Sequence, residues 1–403
     1  MTDPEQAGAR RSGTSDWAAS GTDAAGGTRE VWGRNNFGLI RLLLAACVVF
    51  GHTPELIDGS RVREPLTNIF GVLSLGEVSV DGFFLISGYL LTSSLVRKPA
   101  LLPYFVNRIG RIYPGFVVAF VFCVLVVAPL ADAPSPPLHM LLRNIVQLAL
   151  LQPPSAEGVF DGAPFPVLNG SMWTICYEFG CYVLLALLSV TGVLRRPALV
   201  LTACCCLLLV LAVRLRVDLA TFSLETGGSP QNVVRFASAF LWGSTLKLWL
   251  THPRRRGWAA VASAVVVLLA LGNRWCAEPV LIVAGGYALI CAAEWPFSRW
   301  ASAVGTRTDV SYGLYLYAWP VQNLLIWKLR LTDPLAVSGL TLLCALPLAF
   351  LSWTLVERKA VRLSSAIARA VSRPSLLPAL AVNAKRVDNG GRRAGLAVDD
   401  AVQ

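Results

Sequence analysis

Charged residues are scarce in this chain, and their scarcity excludes an ordinary soluble protein. Only 15% of the 403 residues are charged, whereas 55% are hydrophobic. A typical soluble domain has about 25% charged and about 45–50% apolar residues. Apolar runs of about 17–20 residues recur along the chain, and each is long enough to cross the hydrocarbon core of a bilayer. The sequence therefore predicts an all-α fold, a polytopic transmembrane helical bundle.

The chain also has few histidines and no sequence pattern of a metal site. The chain has three histidines and ten cysteines, and no Cys-x-x-Cys pair or Cys/His group has the spacing of a metal site. Most cysteines, such as Cys204, lie inside apolar runs and are predicted to be small buried hydrophobic residues. We therefore expect no metal. The start of the chain has no pattern of a cleavable signal peptide, and no repeat of solenoid period is present.

The net charge of +11 does not indicate nucleic-acid binding, because the basic residues form short clusters between apolar runs. This arrangement is typical of cytoplasmic loops under the positive-inside rule. The sequence predicts a cytoplasmic, disordered N-terminal tail at 1–35, a membrane domain at 36–357 and a basic cytoplasmic tail at 358–403. Ten spans are predicted: 37–56, 77–95, 114–131, 172–191, 197–213, 233–250, 257–272, 278–294, 311–328 and 335–356.

An eleventh apolar segment, 138–152, is short and contains Arg143 and Asn144. If it crossed the membrane, every basic cluster after 97–111 would lie outside the cell, which the positive-inside rule disfavours. We therefore predict that it lies in the outer interface or re-enters, and that both termini are cytoplasmic.

The first span, "FGLIRLLLAACVVFGHTPE" (37–55), carries Arg41 and His52. Eleven residues of helix separate them, which is about 16 Å. An ionisable residue inside a span is costly and is a functional hypothesis by default. His52 is a candidate general base, although a lone histidine also serves as a hydrogen-bonded bridge between helices.

Two carboxylates also lie within predicted spans. Asp81 occurs in "GEVSVDGFFLISGYLLTSSL" (76–95) and Glu178 in "NGSMWTICYEFGCYVLL" (169–185). Counted from the outer ends of their spans, both are predicted at a depth similar to that of His52. Either could orient the imidazole ring and stabilise its protonated form. The alternative is that both form static ion pairs with arginine.

A basic cluster occurs in "VNRIGRIYPG" (106–115), where Arg108 and Arg111 lie three residues apart. This spacing places them on one face of a short helix that Pro114 is predicted to end. Together with Arg41 they are candidates for an anion site, since guanidinium groups match phosphate geometry. The alternative is that they are snorkelling arginines that set topology.

These stretches resemble the membrane-bound acyltransferase 3 family from about residue 36 to 357. Arg41 and His52 resemble the family's Arg and His pair, and Asp81 begins an Asp-x-Phe-Phe-x-x-Ser-Gly element. Three further stretches carry the resemblance: Arg108 to Pro114 (Arg-x-x-Arg-x-x-Pro), Trp173 to Glu178 (Trp-Thr-x-x-x-Glu) and "SYGLYLYAWPV" (311–321). The stretch "VERKAV" (356–361) departs from the family, because Glu357 lacks the family's following proline.

The resemblance implies a multi-pass O-acyltransferase of the inner (plasma) membrane, with no permanently bound cofactor. It implies acyl-CoA, in most cases acetyl-CoA, as the donor and a hydroxyl group of a glycan or lipid-linked sugar as the acceptor. Membrane lipids are the other expected partner. His52, Glu178 and Asp81 are then the catalytic candidates and Arg41, Arg108 and Arg111 the donor-binding ones. Trp173, Ser87 and Tyr312 are the candidate substrate-binding residues.

Two alternatives stay open at this point. A small secondary metabolite such as a macrolide would also fit as the hydroxyl acceptor. A proton-coupled transporter would also use buried His, Asp and Glu, although the two halves of the chain show no repeat symmetry. A non-catalytic membrane scaffold leaves these polar residues unexplained.

Overall fold

A computed structural model describes residues 35–97, 99–216, 230–250, 257–295, 302, 304–305 and 308–372. Within these residues the chain is helical and contains no strand. Several of the helices continue through a π-helical turn, and each is given one label here. The helices are α1 Phe37–Asp58, α2 Pro65–Phe70, α3 Leu75–Arg97, α4 Leu101–Leu130, α5 Leu138–Ala149, α6 Thr174–Val190, α7 Pro197–Arg216, α8 Pro230–Trp249, α9 Gly257–Ala270, α10 Ala277–Glu294, α11 Ser311–Leu329 and α12 Pro334–Val371.

All ten apolar segments predicted from the sequence coincide with helices. Five described helices, α1, α3, α4, α10 and α12, are long and apolar enough to cross a membrane, and α6, α9 and part of α7 are shorter apolar helices. The all-helical membrane fold is therefore confirmed. The count of ten spans, the orientation of the termini and the domain boundaries stay predictions, and both predicted tails lie largely outside the described residues.

The prediction that Pro114 ends a short basic helix is wrong. Helix α4 begins at Leu101 and runs through Pro114 to Leu130. Proline removes one backbone hydrogen bond, but its neighbours keep the helix in place because Ile112 and Phe116 are buried. Gly115 lies against Tyr312 of α11. Arg108 and Arg111 therefore project from a long, packed helix.

Helix α1 packs against α3, α11 and α12. Gly51 of α1 lies against Gly76, and Leu44 lies against Gly82. Since residue numbers rise along α1 as they fall along α3, the two helices are antiparallel. We call the end of the bundle that contains Arg41 the arginine end, and the end that contains His52 the histidine end.

Helices α3 and α8 pack very closely. A Cβ atom added to Gly88 of α3 would collide with the carbonyl oxygen of Phe240, and one added to Gly243 of α8 would collide with that of Leu85. Glycine at both positions lets the backbones approach, as small residues do at helix interfaces in membranes. This contact fixes the position of α8 relative to the polar side chains of α3.

The connection between α5 and α6 enters the bundle from the histidine end. Phe160, Leu168, Asn169 and Met172 are almost fully buried, and the Asn169 amide donates to the carbonyl of Leu316 at 2.8 Å. Because this connection occupies the depth that the first turns of α6 would fill, α6 begins only at Thr174. The next section shows what this does to Glu178.

The doubtful eleventh segment forms α5, a helix of 12 residues. At about 1.5 Å per residue it is about 18 Å long, well short of a hydrocarbon core of about 30 Å. Asn144 ties it to the following loop, since its side-chain oxygen accepts from the Ser155 N–H at 2.9 Å. Its length supports the prediction that this segment does not cross the membrane.

Candidate active site

A cavity opens between five helices at the arginine end. We call it the arginine cavity, because its polar wall is dominated by three arginines from α1 and α4. Six of the residues singled out in the sequence line it: Arg41, Ser87, Arg108, Arg111, Glu178 and Tyr312. Its remaining wall is mostly aromatic and aliphatic, with Phe83, Phe84 and Tyr315 prominent.

Two of the arginines share a partly buried carboxylate. Asp309, just before α11, lies 3.0 Å from Nη1 of Arg41 and 2.5 Å from Nη2 of Arg111. Burial alone would raise the pKa of Asp309, but the two guanidinium groups and the Ser311 hydroxyl outweigh it and hold that pKa well below its ordinary value. Asp309 is therefore ionised at neutral pH and holds α1 and α4 together at the start of α11.

Arg111 also lies close to a second carboxylate, that of Glu357. Its Nη1 lies 3.6 Å from Glu357, which is 1% exposed and accepts a hydrogen bond from Ser352 at 2.9 Å. Glu357 lies in a π-helical turn of α12. Glu357 therefore contacts an arginine of the cavity without the proline that the family often has next to it.

The arginine cavity retains unused hydrogen-bond donors. Nε of Arg108 is buried and has no hydrogen-bond partner among the described residues; Nη1 of Arg111 makes no hydrogen bond there either, although the Glu357 carboxylate lies 3.6 Å from it. Arg108 also has no acidic partner in that part of the chain, and its guanidinium group lies 5.9 Å from the centre of the Tyr182 ring. Buried donors of this kind are costly unless an acceptor meets them, so the wall is suited to bind an anion.

Glu178 belongs to the arginine cavity and does not reach His52. Its Oε1 accepts hydrogen bonds from Tyr182 at 2.6 Å and from Ser87 at 3.3 Å. Antiparallel packing places Ser87 at the depth of Arg41, about 16 Å along the helix from His52. The predicted equal depth of Glu178 and His52 is wrong, because α6 starts deep in the bundle.

Tyr312 lines the arginine cavity, whereas Trp173 does not. The Tyr312 hydroxyl donates to the carbonyl of Ile112 at 3.0 Å, and Arg111 lies 5.5 Å from the centre of its ring. Trp173 packs edge-on against Tyr177, with ring centres 5.6 Å apart, and is not among the lining residues. The substrate-binding roles of both, and of Ser87, stay predictions.

His52 lies near the other end of α1 and has a different acidic partner. Its Nδ1 is 3.2 Å from Oε2 of Glu55, one turn further along the same helix. The other oxygen of Glu55 accepts from Nε of Arg61 at 3.2 Å. The ring of Trp319 stands edge-on to the His52 ring, with centres 4.8 Å apart. This is the geometry of a histidine oriented by a carboxylate, which suits a general base.

Asp81 does not orient His52 either, because Arg235 of α8 binds it. Nε and Nη2 of Arg235 donate to the two Asp81 oxygens, both at 2.9 Å. Glu278 of α10 lies 2.9 Å from the same Nε, and Glu77 lies 3.7 Å from Nη1. We call these four residues the Arg235 cluster. It is the static ion pair that the sequence left open as the alternative for Asp81.

The sequence reasoning missed Glu55, Arg235, Glu278 and Asp309. Arg235 and Glu278 lie within predicted spans, so that the rule applied to Arg41 and His52 would have found both. Glu55 follows His52 at a spacing of three, which places two side chains on one helix face. Asp309 lies in a connection with no sequence signal of its own.

Comparison with known proteins supports an acyl-transferring enzyme. The model of the acyltransferase 3 family, described as an acyltransferase domain, matches residues 34–356. The chain is 27% identical over 356 residues to an O-acetyl transferase of Shigella phage Sf6, covering 82% of this chain and 97% of that protein. It is also 27% identical over 379 residues to nodulation protein 10 of Rhizobium leguminosarum bv. viciae, covering 84% and 96%.

A shorter match, 26% identical over 121 residues, is to the acyltransferase MdmB of Streptomyces mycarofaciens and covers 29% of each chain. No solved structure matches this chain significantly. The family match spans most of the helical bundle, including α1 with His52 and all three arginines of the cavity. The chain therefore belongs to the membrane-bound acyltransferase 3 family and is an acyltransferase.

Proposed function

We propose that this protein transfers an acetyl group from acetyl-CoA to a hydroxyl group of a cell-surface glycan or lipid-linked sugar, with His52 as the general base. The observation that carries the proposal is the arginine cavity, which presents unused buried donors at one end of α1 while a carboxylate-bound histidine lies near the other. The family match supports acyl transfer over proton-coupled transport.

The arginine cavity is the proposed site of the donor. Arg41, Arg108 and Arg111 would bind its phosphate groups by charge-assisted hydrogen bonds. Glu178, held by Tyr182 and Ser87, would accept from an amide N–H of the pantetheine arm. That arm must bridge the approximately 16 Å of helix between Arg41 and His52 to carry the thioester to the base. No part of the donor stays bound after turnover.

His52 is the proposed base for the acceptor hydroxyl. Glu55 would accept the Nδ1–H of the ring, which leaves Nε2 free to take the hydroxyl proton as the oxygen attacks the acyl carbon. His52 would then return the proton to the departing thiolate of coenzyme A. Excluding water from the bundle protects the thioester from hydrolysis. Glu55 takes the orienting role that the sequence analysis predicted for Asp81 or Glu178.

The base role is tested by His52→Ala, with His139→Ala as the matched control because His139 is exposed on α5. General-base catalysis contributes about 10²–10⁴ in rate, so His52→Ala should abolish acetyl transfer almost completely. Binding of coenzyme A, measured by calorimetry on the same preparation, should remain, since the arginines are at the other end of α1. Near-normal transfer by His52→Ala would contradict the proposal.

The acceptor is tested by mass spectrometry of surface glycans from cells with and without the gene. An acetyl-sized mass difference on a glycan or lipid-linked sugar is expected, and the relative named O-acetyl transferase supports acetyl as the group. Unchanged glycans together with an acetylated small metabolite would instead support the alternative acceptor. Transfer of a longer acyl group would contradict acetyl-CoA as the donor.

The proposed location is the inner (plasma) membrane, with the arginine cavity facing the cytoplasmic acyl-CoA pool. The asymmetry of Lys and Arg between loops supports this orientation. Single cysteines at Glu157, after α5, and at Arg196, before α7, would be labelled by an impermeant reagent from opposite sides in a cysteine-free background. We expect Glu157→Cys to react from outside and Arg196→Cys from the cytoplasm. Labelling of both from one side would contradict the topology.

A further inference from the structure

The indole N–H of Trp319 donates no hydrogen bond to any described residue. The residue is 5% exposed, and its Nε1 has no hydrogen-bond partner among the described residues. Other tryptophans do use this group. Trp242 donates to the carbonyl of Val283 at 2.9 Å, and Trp327 donates to Asp132 at 3.0 Å. A buried donor without an acceptor is unfavourable, and each such case in a native structure requires an explanation.

The Trp319 ring is held rigidly at the histidine end. Its centre lies 4.8 Å from that of His52 and 6.3 Å from that of Phe165, and it stands edge-on to both rings. A Cβ atom added to Gly170 would collide with Cζ2, Cε2 and Cη2 of the indole ring. Glycine at 170 therefore lets the buried connection before α6 press against the indole and hold it beside His52.

We propose that the Trp319 indole N–H is the oxyanion donor for acyl transfer. This inference rests on the proposed role of His52. Attack by the acceptor oxygen on the thioester carbon forms a C–O bond, sends the hydroxyl proton to His52 and places negative charge on the carbonyl oxygen. A preorganised N–H in a dry site stabilises that charge where it develops. Collapse then breaks the C–S bond, and His52 protonates the thiolate.

The position of Trp319 beside the base is what this step needs. An acceptor oxygen hydrogen-bonded to His52 attacks a carbon only one bond away from the oxygen that gains the charge. Because the ring centres of Trp319 and His52 are 4.8 Å apart, the indole N–H belongs to a ring beside the base, and the proposal places the carbonyl oxygen at an ordinary hydrogen-bond distance of about 2.9 Å from it. The arginines of the cavity cannot serve here, because Arg41 is about 16 Å away along α1.

The test replaces the N–H without changing the shape of the ring. Benzothienylalanine at position 319 substitutes sulfur for the indole N–H, and Trp319→Phe is a second variant that keeps an aromatic ring. Acetyl transfer from radiolabelled acetyl-CoA is measured in membranes that contain the native acceptor. Both variants should lower kcat by about 10²–10³, the effect of losing one oxyanion donor. The KM for acetyl-CoA should stay unchanged, since the contact forms only in the transition state.

The matched control is benzothienylalanine at Trp327, whose N–H binds an exposed carboxylate; its kcat should equal that of the unmodified protein. A packing role for Trp319 predicts full kcat for the benzothienylalanine variant, and that result would overturn the inference. His52→Ala is assayed in parallel. If it is inactive while the benzothienylalanine variant is fully active, only the oxyanion role fails. If His52→Ala is active, the proposed function fails with it.

Discussion

The two arginine clusters of this protein use the same kinds of residue and produce opposite results. In the Arg235 cluster one guanidinium group meets three carboxylates, and both Nε and Nη2 donate to Asp81. In the arginine cavity two guanidinium groups, those of Arg41 and Arg111, bind Asp309, while Arg108 has no acidic partner among the described residues and its buried Nε keeps an unused hydrogen-bond donor. One cluster has surplus acid and the other has surplus hydrogen-bond donors.

This difference separates a structural cluster from a binding site. The three carboxylates around Arg235 leave no room for an anionic ligand. Their contacts with this arginine join three helices within the chain. Surplus donors on a cavity wall lack an acceptor until a ligand supplies one. An ionisable residue in a span is therefore informative about function only when its partners are known. Asp81 and Arg108 look equally unusual in the sequence and differ in what surrounds them.

The largest effect is expected for Arg235→Leu. It leaves Asp81, Glu278 and Glu77 close together without their shared arginine, and breaking a buried ion pair costs about 3–5 kcal/mol. The variant should reach the membrane at a much reduced level and lose its thermal transition in detergent. Arg63→Leu is the control, since its pair with Asp58 is solvent-exposed and its loss should leave the transition unchanged. A well-folded Arg235→Leu protein would show that the cluster is not structural.

The second prediction concerns the cavity. Arg108→Gln removes a guanidinium group that has no acidic partner among the described residues, so that folding should change little. Loss of one charge-assisted hydrogen bond to phosphate costs about 1–3 kcal/mol, which lowers the affinity for coenzyme A by about 5–150-fold. Calorimetry measures this, with Arg362→Gln on the exposed side of α12 as the control. Equal affinity in both variants would return Arg108 to a role in topology.

The helices were predictable because each apolar run is constrained by its own composition. A long uncharged stretch must become a helix in a membrane, since no other local structure satisfies its backbone. Pro114 was the exception, because proline has a strong local preference against helix. Packing of its buried neighbours against α11 overrides that preference, and packing is not visible in a single stretch of sequence.

The sequence singled out several residues of the candidate site, but it did not predict which of them lie together or which side chains they contact. The residues Arg41, Arg108, Arg111, Ser87, Glu178 and Tyr312, which the sequence analysis singled out for different roles, line one cavity. The pairing of His52 with Asp81 or Glu178 failed, because it depended on helix phase and on where α6 begins. The position of α6 is set by the buried connection before it, whose apolar residues gave no sign that they enter the bundle, and Asp81 is bound by Arg235.

A third prediction tests whether Glu178 belongs to the donor site. Glu178→Gln keeps an oxygen that accepts from Tyr182, and it removes a negative charge near three arginines. The affinity for coenzyme A should therefore stay equal or rise, and acetyl transfer should fall by less than about tenfold, well below the loss on removing a general base. A loss as large as that of His52→Ala would restore Glu178 as the partner of the base.

The smallest effect is expected for Glu278→Gln, and it asks whether the surplus acid of the Arg235 cluster stabilises anything. Oε1 of Glu278 lies 2.9 Å from Nε of Arg235, but that N–H donates to Asp81, and Oε1 accepts no hydrogen bond among the described residues. Three carboxylates around one guanidinium group leave an excess of negative charge, and neighbouring like charges disfavour one another, so that removing the charge of Glu278 relieves repulsion from Asp81 and Glu77. The thermal midpoint of Glu278→Gln in detergent should therefore equal or exceed that of the unmodified protein. The comparison variant Asp81→Asn removes the charge that accepts two hydrogen bonds from Arg235, and it should lower the midpoint.

If Glu278→Gln instead loses as much stability as Asp81→Asn, all three carboxylates hold Arg235 equally. The two arginine clusters would then differ in the number of their charges and not in which of their hydrogen bonds are satisfied.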